Sequence, residues 1–534
     1  VVSIVRRLTA AAILARSNLA PFERPDRLPR SLVALAPWGT TLAGAVAAAA
    51  ARYPHRPAVI DESGPLPYAE LWERSRRLAA ALATVEGAGP GTGIGILGRN
   101  HRGFVEWLVA ASATGADVVL LNTGFAAPQL ADVVQHERVG LVLHDDEFAP
   151  VVEGCGARTL GEAALDAAAD RPGDVRPRRR QGRLVILTSG TTGRPKGAAR
   201  RSDPAAVEGV AAVLERVPLR LGDTQVIAAP LFHGWGLTNL LLGFGRSATA
   251  VVARRFDPAA TLAAVADHDA EVLVVVPVML ARMLALDPAE LVAAPTPRLR
   301  VIASSGSALG GALASATLAR FGPVLYNLYG STEVAVATIA TPDDLRREPA
   351  TAGRVAFGVR VEILDGDGEP VPDGEVGRIF VGGAMRFEGY TGGGGKEERR
   401  GLLSSGDVGR FVDGRLFVEG REDDMIVSGG ENVYPAEVEE LLARHPEVAD
   451  VAVVGVPDDE FGQVLAAFVV ARNPEAIDGA AVRGHVRDHL ARHKVPRHVV
   501  FLDELPRNPT GKVLRRNLVA VAGLDAATLG TVTA

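Results

Sequence analysis

The chain has 534 residues, 47% of them hydrophobic and 22% charged, with a formal net charge of −6. That length exceeds one compact core and predicts two or three domains, and the acidic balance argues against a general nucleic-acid binder. A lone cysteine, Cys155, excludes an internal disulfide and cannot by itself form a zinc site, which fits a reducing, cytoplasmic setting.

The opening stretch, VVSIVRRLTAAAILAR, carries Arg6, Arg7 and Arg16 with no acid, and sets Ile4, Leu8, Ala11, Ala12 and Ala15 on one helical face. It reads as a helix packed on the body of the protein, because Ile13 and Leu14 spoil the polar face. A peripheral contact with an anionic membrane surface is the alternative. A clear signal-peptide pattern is lacking. The longest apolar candidate further on, 272–281, is bracketed by Glu271 and Arg282; a span needs about 20 apolar residues.

Strand-like and helix-like segments alternate through the first 330 residues, with strands predicted at 94–97, 118–121, 141–144, 184–188, 226–229, 272–276 and 299–303, and helices at 68–82 and 102–114. That alternation predicts layered α/β architecture with largely parallel sheets. GTGIGILG contains Gly93, Gly95 and Gly98 at dinucleotide-fingerprint spacing, with Asp117 further on. A fingerprint must follow a strand and open a helix; here Ile94, Ile96 and Leu97 interleave the glycines, so the motif reads as the strand itself. The run Arg178-Arg179-Arg180 reads as a solvated loop.

From about residue 360, VEILDGDGEPVPDGEVGRIFVGG changes the texture to short strands joined by Asp-Gly turns, an antiparallel or barrel-like subdomain. TGGGGKEERRG, starting at Thr391, reads as a flexible surface connection. Beyond residue 421 a small α+β unit follows, with helices at 436–442 and 480–493 and strands at 451–456 and 465–470. His485, His489 and His493 share a helical face there. No cysteine or zincin pattern accompanies them, and Arg487, Arg492 and Lys494 disfavour a cation, so they read as a solvated face rather than a metal site.

The strongest chemical signal is LTSGTTGRPKG, residues 187–197, directly after an apolar run. Glycines accept the positive φ values of a backbone nest whose N–H groups point at one centre. Thr188, Ser189, Thr191 and Thr192 add hydroxyls, and Lys196 adds a positive charge, all suited to nucleotide phosphates. Gly190, Gly193 and Lys196 fall at three-residue intervals and Gly197 follows the lysine, which rejects the usual P-loop with its Gly-Lys-Ser/Thr.

Four more motifs follow: VLYNLYGSTEVAVATIA, LLSSGDVGRF, VEGREDDMIVSGGENVYPAEVEE and LPRNPTGKVLRR. With these in order, nearly the whole chain resembles the adenylate-forming (ANL) superfamily of acyl-CoA synthetases, nonribosomal peptide adenylation domains and luciferases. PLFHGWG and SGGENVYPAEVEE look most like the fatty acyl-CoA synthetase branch. The resemblance implies a large N-terminal domain, 1–421, of layered α/β subdomains plus a β-rich subdomain. It also implies a small mobile α+β C-terminal domain, 422–534. The implied activity is AMP-forming acid–thiol ligation with ATP, Mg²⁺ and coenzyme A: a carboxylate becomes an acyl-adenylate, which a thiol then attacks.

Residue by residue, the resemblance implies that Thr188, Ser189, Gly190, Thr191, Thr192, Gly193 and Lys196 embrace the β- and γ-phosphates. Glu333 would hold Mg²⁺. Lys512 would stabilise charge between the α-phosphate and the substrate carboxylate. Lys512, Glu333, Thr188 and His233 form the implied catalytic set. Tyr329 would stack on adenine, Asn327 would bond its amine, and Gly306, Ser307 and Ala308 would follow the other face. Gly330, Ser331 and Thr332 complete the nucleotide motif. Asp407 would accept the ribose hydroxyls, with Arg421 as a second ribose or phosphate contact. Asp423 is the implied hinge, about which the small domain turns to bring Ser428, Gly429 and Gly430 to the pantetheine tunnel. His233 would lie near the substrate carboxylate and the thiol channel.

FHGWGLTNLLLG holds no acid to pair with an amino group, which disfavours amino acids. Trp235, Gly236, Leu237 and Met279 belong to an apolar wall, which favours a medium- or long-chain fatty acid and leaves an aryl acid open. A ligase loading a carrier protein, and a nucleotide-binding regulator without turnover, remain alternatives, as do monomer and homodimer. Two departures from the family pattern stand out: a shortened, glycine-rich stretch before LLSSGD, where Leu402 and Leu403 replace an aromatic Gly-Trp, and Ser405 in place of threonine before Gly406-Asp407.

Overall fold

A computed structural model of the chain describes residues 9–10, 12–13, 27–84, 86–177, 181–188, 196–200, 206–383, 389–428, 431–458, 461–509 and 511–521. Among them, four sheets carry the architecture. A six-stranded sheet runs in the order Arg158–Gly161, Val139–His144, Gly93–Leu97, Asp117–Leu120, Leu184–Thr188, Lys196–Arg200, parallel except for the last, antiparallel pair. Gly93–Leu97 is buried along its whole length. A Cβ on Gly93 would come within 2.6 Å of the Arg138 carbonyl, and one on Gly95 within 2.8 Å of Leu121. The glycines of GTGIGILG thus serve close packing of a central strand.

A nine-stranded sheet sets Thr249–Val251, Thr224–Ile227, Val272–Val275, Val301–Ser304 and Leu325–Ser331 in parallel, with antiparallel strands at its edges. Its central strands are rich in Val and Ile and almost wholly inaccessible, as expected where helices cover both faces. Helix Arg102–Thr114 is buried nearly all round, and one apolar core runs through the helices between the two sheets.

An antiparallel third sheet, with Gly377–Gly382, Leu402–Val412 and Arg415–Arg421 at its centre, closes around its own small core. A 3₁₀ turn, Glu422–Asp424, leads into the last sheet. There Val448–Asp458 and Gly462–Ala471 form a long hairpin, and apolar clusters pack on both faces.

Two segments differ from the sequence reading. The last long helix is Gly479–His489, because Leu490 turns extended, so His493 falls in a separate 3₁₀ turn. His485 is half-buried rather than solvated: its ring meets His445 edge-on at 4.9 Å, and its Nε2 is buried without a hydrogen bond. Among the described residues no group of three His, Cys, Asp or Glu could hold a metal ion. The stretch from Thr391 is largely exposed, as a surface connection is, but it is anchored at both ends: Thr391 bonds Gly197 and Glu137, and Glu398–Arg399 pairs with Leu402 and Leu403. In the N-terminal segment, Ala10 is buried and Ile13 packs against the main core; its three arginines and Arg178–Arg180 lie outside the described residues. Among the described residues no helix is long and apolar enough to cross a membrane.

Candidate active site

The parallel strands of the large sheet end together, and ligand sites of open α/β sheets lie beyond such carboxyl ends. Val272–Val275 leads to Val276, Val301–Ser304 to the loop of Gly306, Ser307 and Ala308, and Leu325–Ser331 to Thr332 and Glu333. Leu184–Thr188 and Lys196–Arg200 form an antiparallel pair that brings Thr188 opposite Lys196. Ser189, Gly190, Thr191, Thr192 and Gly193, which join them, lie outside the described residues.

Alternation along Leu325–Ser331 puts Asn327, Tyr329 and Ser331 on one face. The register shifts between Tyr329 and Gly330, and Ala335 adopts φ 59°. A Cβ on Gly330 would run into the Ala335 carbonyl, so only glycine fits this bulge. The tight return folds Glu333 back into the site. The Ser331 hydroxyl donates to its Oε2 at 2.9 Å and the Tyr390 hydroxyl to its Oε1 at 2.9 Å. The Lys196 ammonium lies 5.2 Å from the centroid of the Tyr390 ring.

A second carboxylate sits where the third sheet meets the large one. Asp407 is paired in register with Arg421, whose Nη1 lies 3.6 Å from its Oδ1. The Tyr329 hydroxyl donates to Oδ2 at 2.6 Å. Burial pushes the Asp407 carboxyl up; the Tyr329 hydrogen bond and the Arg421 charge oppose it. Burial and the adjacent carboxylate raise the Tyr329 phenol well above its ordinary value, so it remains a donor. Gly406, at φ 82°, makes the turn; a Cβ there would come within 3.1 Å of the Lys396 ammonium. Lys396, from the glycine-rich stretch read as a surface connection, therefore reaches the same site.

The small domain brings Lys512 to this cleft. Gly511, at φ 78°, seats against Val278 at the start of helix Pro277–Leu284, so closely that a Cβ would overlap the valine. Gly306 packs beside Val276 next door. Lys512 keeps access to solvent, yet the surrounding protein desolvates its ammonium and lowers its pKa; Arg421 lowers it further, and Asp424 and Asp407 act the other way. Its backbone N–H donates to Asn508 Oδ1 at 2.9 Å.

Helix Gly234–Gly245 supplies the remaining wall. His233 precedes its first turn with Nε2 buried and without a hydrogen-bond partner, and burial drops its pKa to about 4. Trp235 donates from Nε1 to the Val275 carbonyl at 2.9 Å and lines a small apolar cavity with Val213, Leu242, Ala303, Leu328 and Val336. A second cavity of about 60 Å³ shares Val213, Thr238, Leu242 and Val336 and continues to Phe357. Gly236 lets the helix press on the Pro230 carbonyl, while Leu237 and Met279 belong to the main core; none of the three lines either cavity.

Asp423 is exposed in the linking turn, 3.5 Å from Arg421 Nη2. Ser428 is buried on Ile426–Ser428, paired with Glu431 and Gly462, and Gly429 and Gly430 lie outside the described residues. Sequence reasoning missed Tyr390 and Lys396. An aromatic residue before a glycine run was the only local signal for the first, and it does not specify a partner.

Comparison with known proteins agrees with this geometry. The AMP-binding enzyme family matches residues 46–391, and the AMP-binding enzyme C-terminal domain matches 437–512. A feruloyl-CoA synthase of Amycolatopsis sp. is 36% identical over 86% of this chain and 95% of its own. A fatty acid–acyl-carrier-protein ligase of Streptomyces coeruleorubidus is 34% identical over 87% of this chain and 93% of its own. Among solved structures, the o-succinylbenzoate CoA synthetase of Bacillus subtilis, in complex with its acyl-adenylate intermediate, superposes with a TM-score of 0.79 at 28% identity, covering 89% of this chain and 97% of that one.

Proposed function

Because the chain belongs to the AMP-binding enzyme family of adenylate-forming ligases, we propose that its cleft joins an apolar carboxylic acid to coenzyme A in two steps. In the first, a carboxylate oxygen attacks the α-phosphorus of ATP and pyrophosphate leaves. In the second, the thiol sulfur attacks the acyl carbon, AMP leaves, and the thiol proton passes to solvent.

The first step brings together two anions, so its barrier is largely electrostatic. Lys196 and the loop after Thr188 take the β- and γ-phosphates. Lys512 lies between the α-phosphate and the incoming carboxylate, where charge builds up. Tyr329 and Asn327 face adenine, and Asp407, already oriented by Tyr329 and Arg421, takes the ribose hydroxyls. Neutral His233, at the head of the helix that lines the apolar cavity, keeps positive charge out of the acyl end. Glu333 and Ser331 offer hard oxygens, and among the described residues no cage of carboxylates competes with them. That fits Mg²⁺, which is held by one or two carboxylates plus substrate phosphates and supplies charge neutralisation.

The observation that carries this reading is the seat of Gly511 on Val278, which delivers Lys512 to the cleft holding Asp407 and Arg421. After adenylation the small domain turns about Asp423 and exchanges Lys512 for the stretch following Ser428. Lys512→Ala should lower acid-dependent pyrophosphate release by about 10²–10³-fold, the cost of losing one preorganised charge donor. Thioester formation from supplied acyl-adenylate should persist. Equal loss of both steps would contradict the assignment.

For the acid, the apolar lining shared by the two adjoining cavities supports a hydrophobic acyl group, read here as a medium- or long-chain fatty acid, whose tail enters volumes of about 10 and about 60 Å³ only if the lining side chains move aside. An aromatic acid is the second reading, favoured by the feruloyl-CoA synthase relative. Running the same pyrophosphate assay over C6–C18 fatty acids and over cinnamic-type acids, with coenzyme A and with a pantetheinylated carrier protein as acceptors, separates these. Preference for aryl acids, or for the carrier, would replace the fatty acyl-CoA reading.

A further inference from the structure

The Glu333 carboxylate is held from two directions. Ser331 Oγ, which donates to Oε2, itself accepts the backbone N–H groups of Glu333 and Val334 at 3.2 and 3.3 Å, so that tether belongs to the same turn. The second tether comes from far along the chain: the Tyr390 hydroxyl, at Oε1. With Oε2 anchored alone, the carboxylate could still swing; the second donor fixes its plane.

Tyr390 is in turn fixed to the strand that leaves the phosphate loop. Its backbone bridges Ala198, and the Thr391 N–H donates to the Gly197 carbonyl at 2.9 Å. The Thr391 hydroxyl donates to Glu137 Oε1 at 2.7 Å. Gly197 permits this approach, since a Cβ there would lie 2.6 Å from both the Thr391 hydroxyl and Glu137. The ring so placed carries the Lys196 ammonium at 5.2 Å from its centroid, within cation–π range. The ring is partly buried and packs against the apolar core of the third sheet, while its hydroxyl, protonated at neutral pH like any ordinary phenol, points to Glu333.

We propose that Tyr390 is a positioning residue of the nucleotide site, aiming the Glu333 carboxylate with its hydroxyl and holding the Lys196 ammonium on its ring. One side chain thereby sets the spacing between the metal-facing anion and the phosphate-facing cation. The inference rests on the adenylation reading above and extends it to a residue outside the five family motifs.

The test uses the full chain, without acid, so that nothing turns over. ATP binding is measured by titration calorimetry at a series of Mg²⁺ concentrations and in EDTA, for wild type, Tyr390→Phe and Tyr390→Leu. Tyr390→Phe keeps the ring and loses only the hydroxyl. It should weaken Mg²⁺-dependent ATP binding by about tenfold, the lower end of what losing a partner of a metal-binding carboxylate costs, and leave binding in EDTA unchanged. Tyr390→Leu should also weaken binding in EDTA, by about threefold, through loss of the cation–π contact. Wild-type Mg²⁺ dependence in Tyr390→Phe, or equal weakening with and without Mg²⁺ in both variants, would overturn the role of Tyr390 alone. A wild-type chain that binds no Mg-ATP would overturn the adenylation reading together with it.

Discussion

His233 carries the clearest single-residue signature in the cleft. Its Nε2 is buried with no partner, and burial holds its pKa at about 4, against an ordinary imidazole near 6.5. Between those values the unfolded chain binds a proton that the folded chain refuses, so stability falls as pH drops through that window. Denaturant midpoints at pH 7.5 and pH 5 should therefore differ less in His233→Phe than in wild type; an identical difference would mean the imidazole is not the titrating group. Adenylation should show no transition near pH 6.5 traceable to this residue. The family motif marks His233 in the sequence, but its protonation state follows from neighbours that burial alone supplies.

Strand Leu325–Ser331 does the positioning at the scale of an element. Its alternation lines up Asn327, Tyr329 and Ser331, and the bulge at Gly330 turns the chain so that Glu333 faces the same cleft. Because a Cβ at Gly330 would overlap the Ala335 carbonyl, Gly330→Ala must displace backbone. A loss of about 1–3 kcal/mol is expected, the range for overpacking a tight site, together with weakened ATP binding. A shifted denaturant midpoint at unchanged slope checks the first and calorimetry the second; wild-type values for both would mean the bulge tolerates a side chain. Here the sequence was readable to within a few residues: the central strands fell where β-branched runs predicted them, and GTGIGILG became a strand because apolar residues interleave its glycines. The last histidine-bearing helix was read too long, since nothing in HLARHK, residues 489–494, compels the stop at His489 that docking of Leu490 imposes.

Across the whole molecule, the decisive contact joins the two domains. Gly511 fits against Val278 only without a side chain, and this fit puts Lys512 in the cleft. Gly511→Ala should oppose the docked arrangement while leaving the small domain folded, since its apolar clusters lie elsewhere. Adenylation should fall while thioester formation from supplied acyl-adenylate persists. Val278→Ala in the same chain should restore part of the adenylation by removing the obstructing methyls; the remainder reflects alanine at a positive φ. No recovery in the double variant would show that the loss arises from backbone strain and not from the domain contact.

Periodicity, glycine spacing and the order of short motifs are local properties; the α/β class could be read from them, and the family resemblance that the motifs carry supplied the candidate nucleotide-site residues. Each of those features depends on neighbours a few positions apart, which is the range over which a chain specifies its own backbone. The pairing of Tyr390 with Glu333 and Lys196, the approach of Lys396 to Gly406, the contact of His485 with His445 and the two cavities behind Trp235 depend on residues distant in sequence. Distances of that kind arise only when the sheets and helices pack, because burial, charge and shape at such points are properties of the assembled core and of no segment by itself.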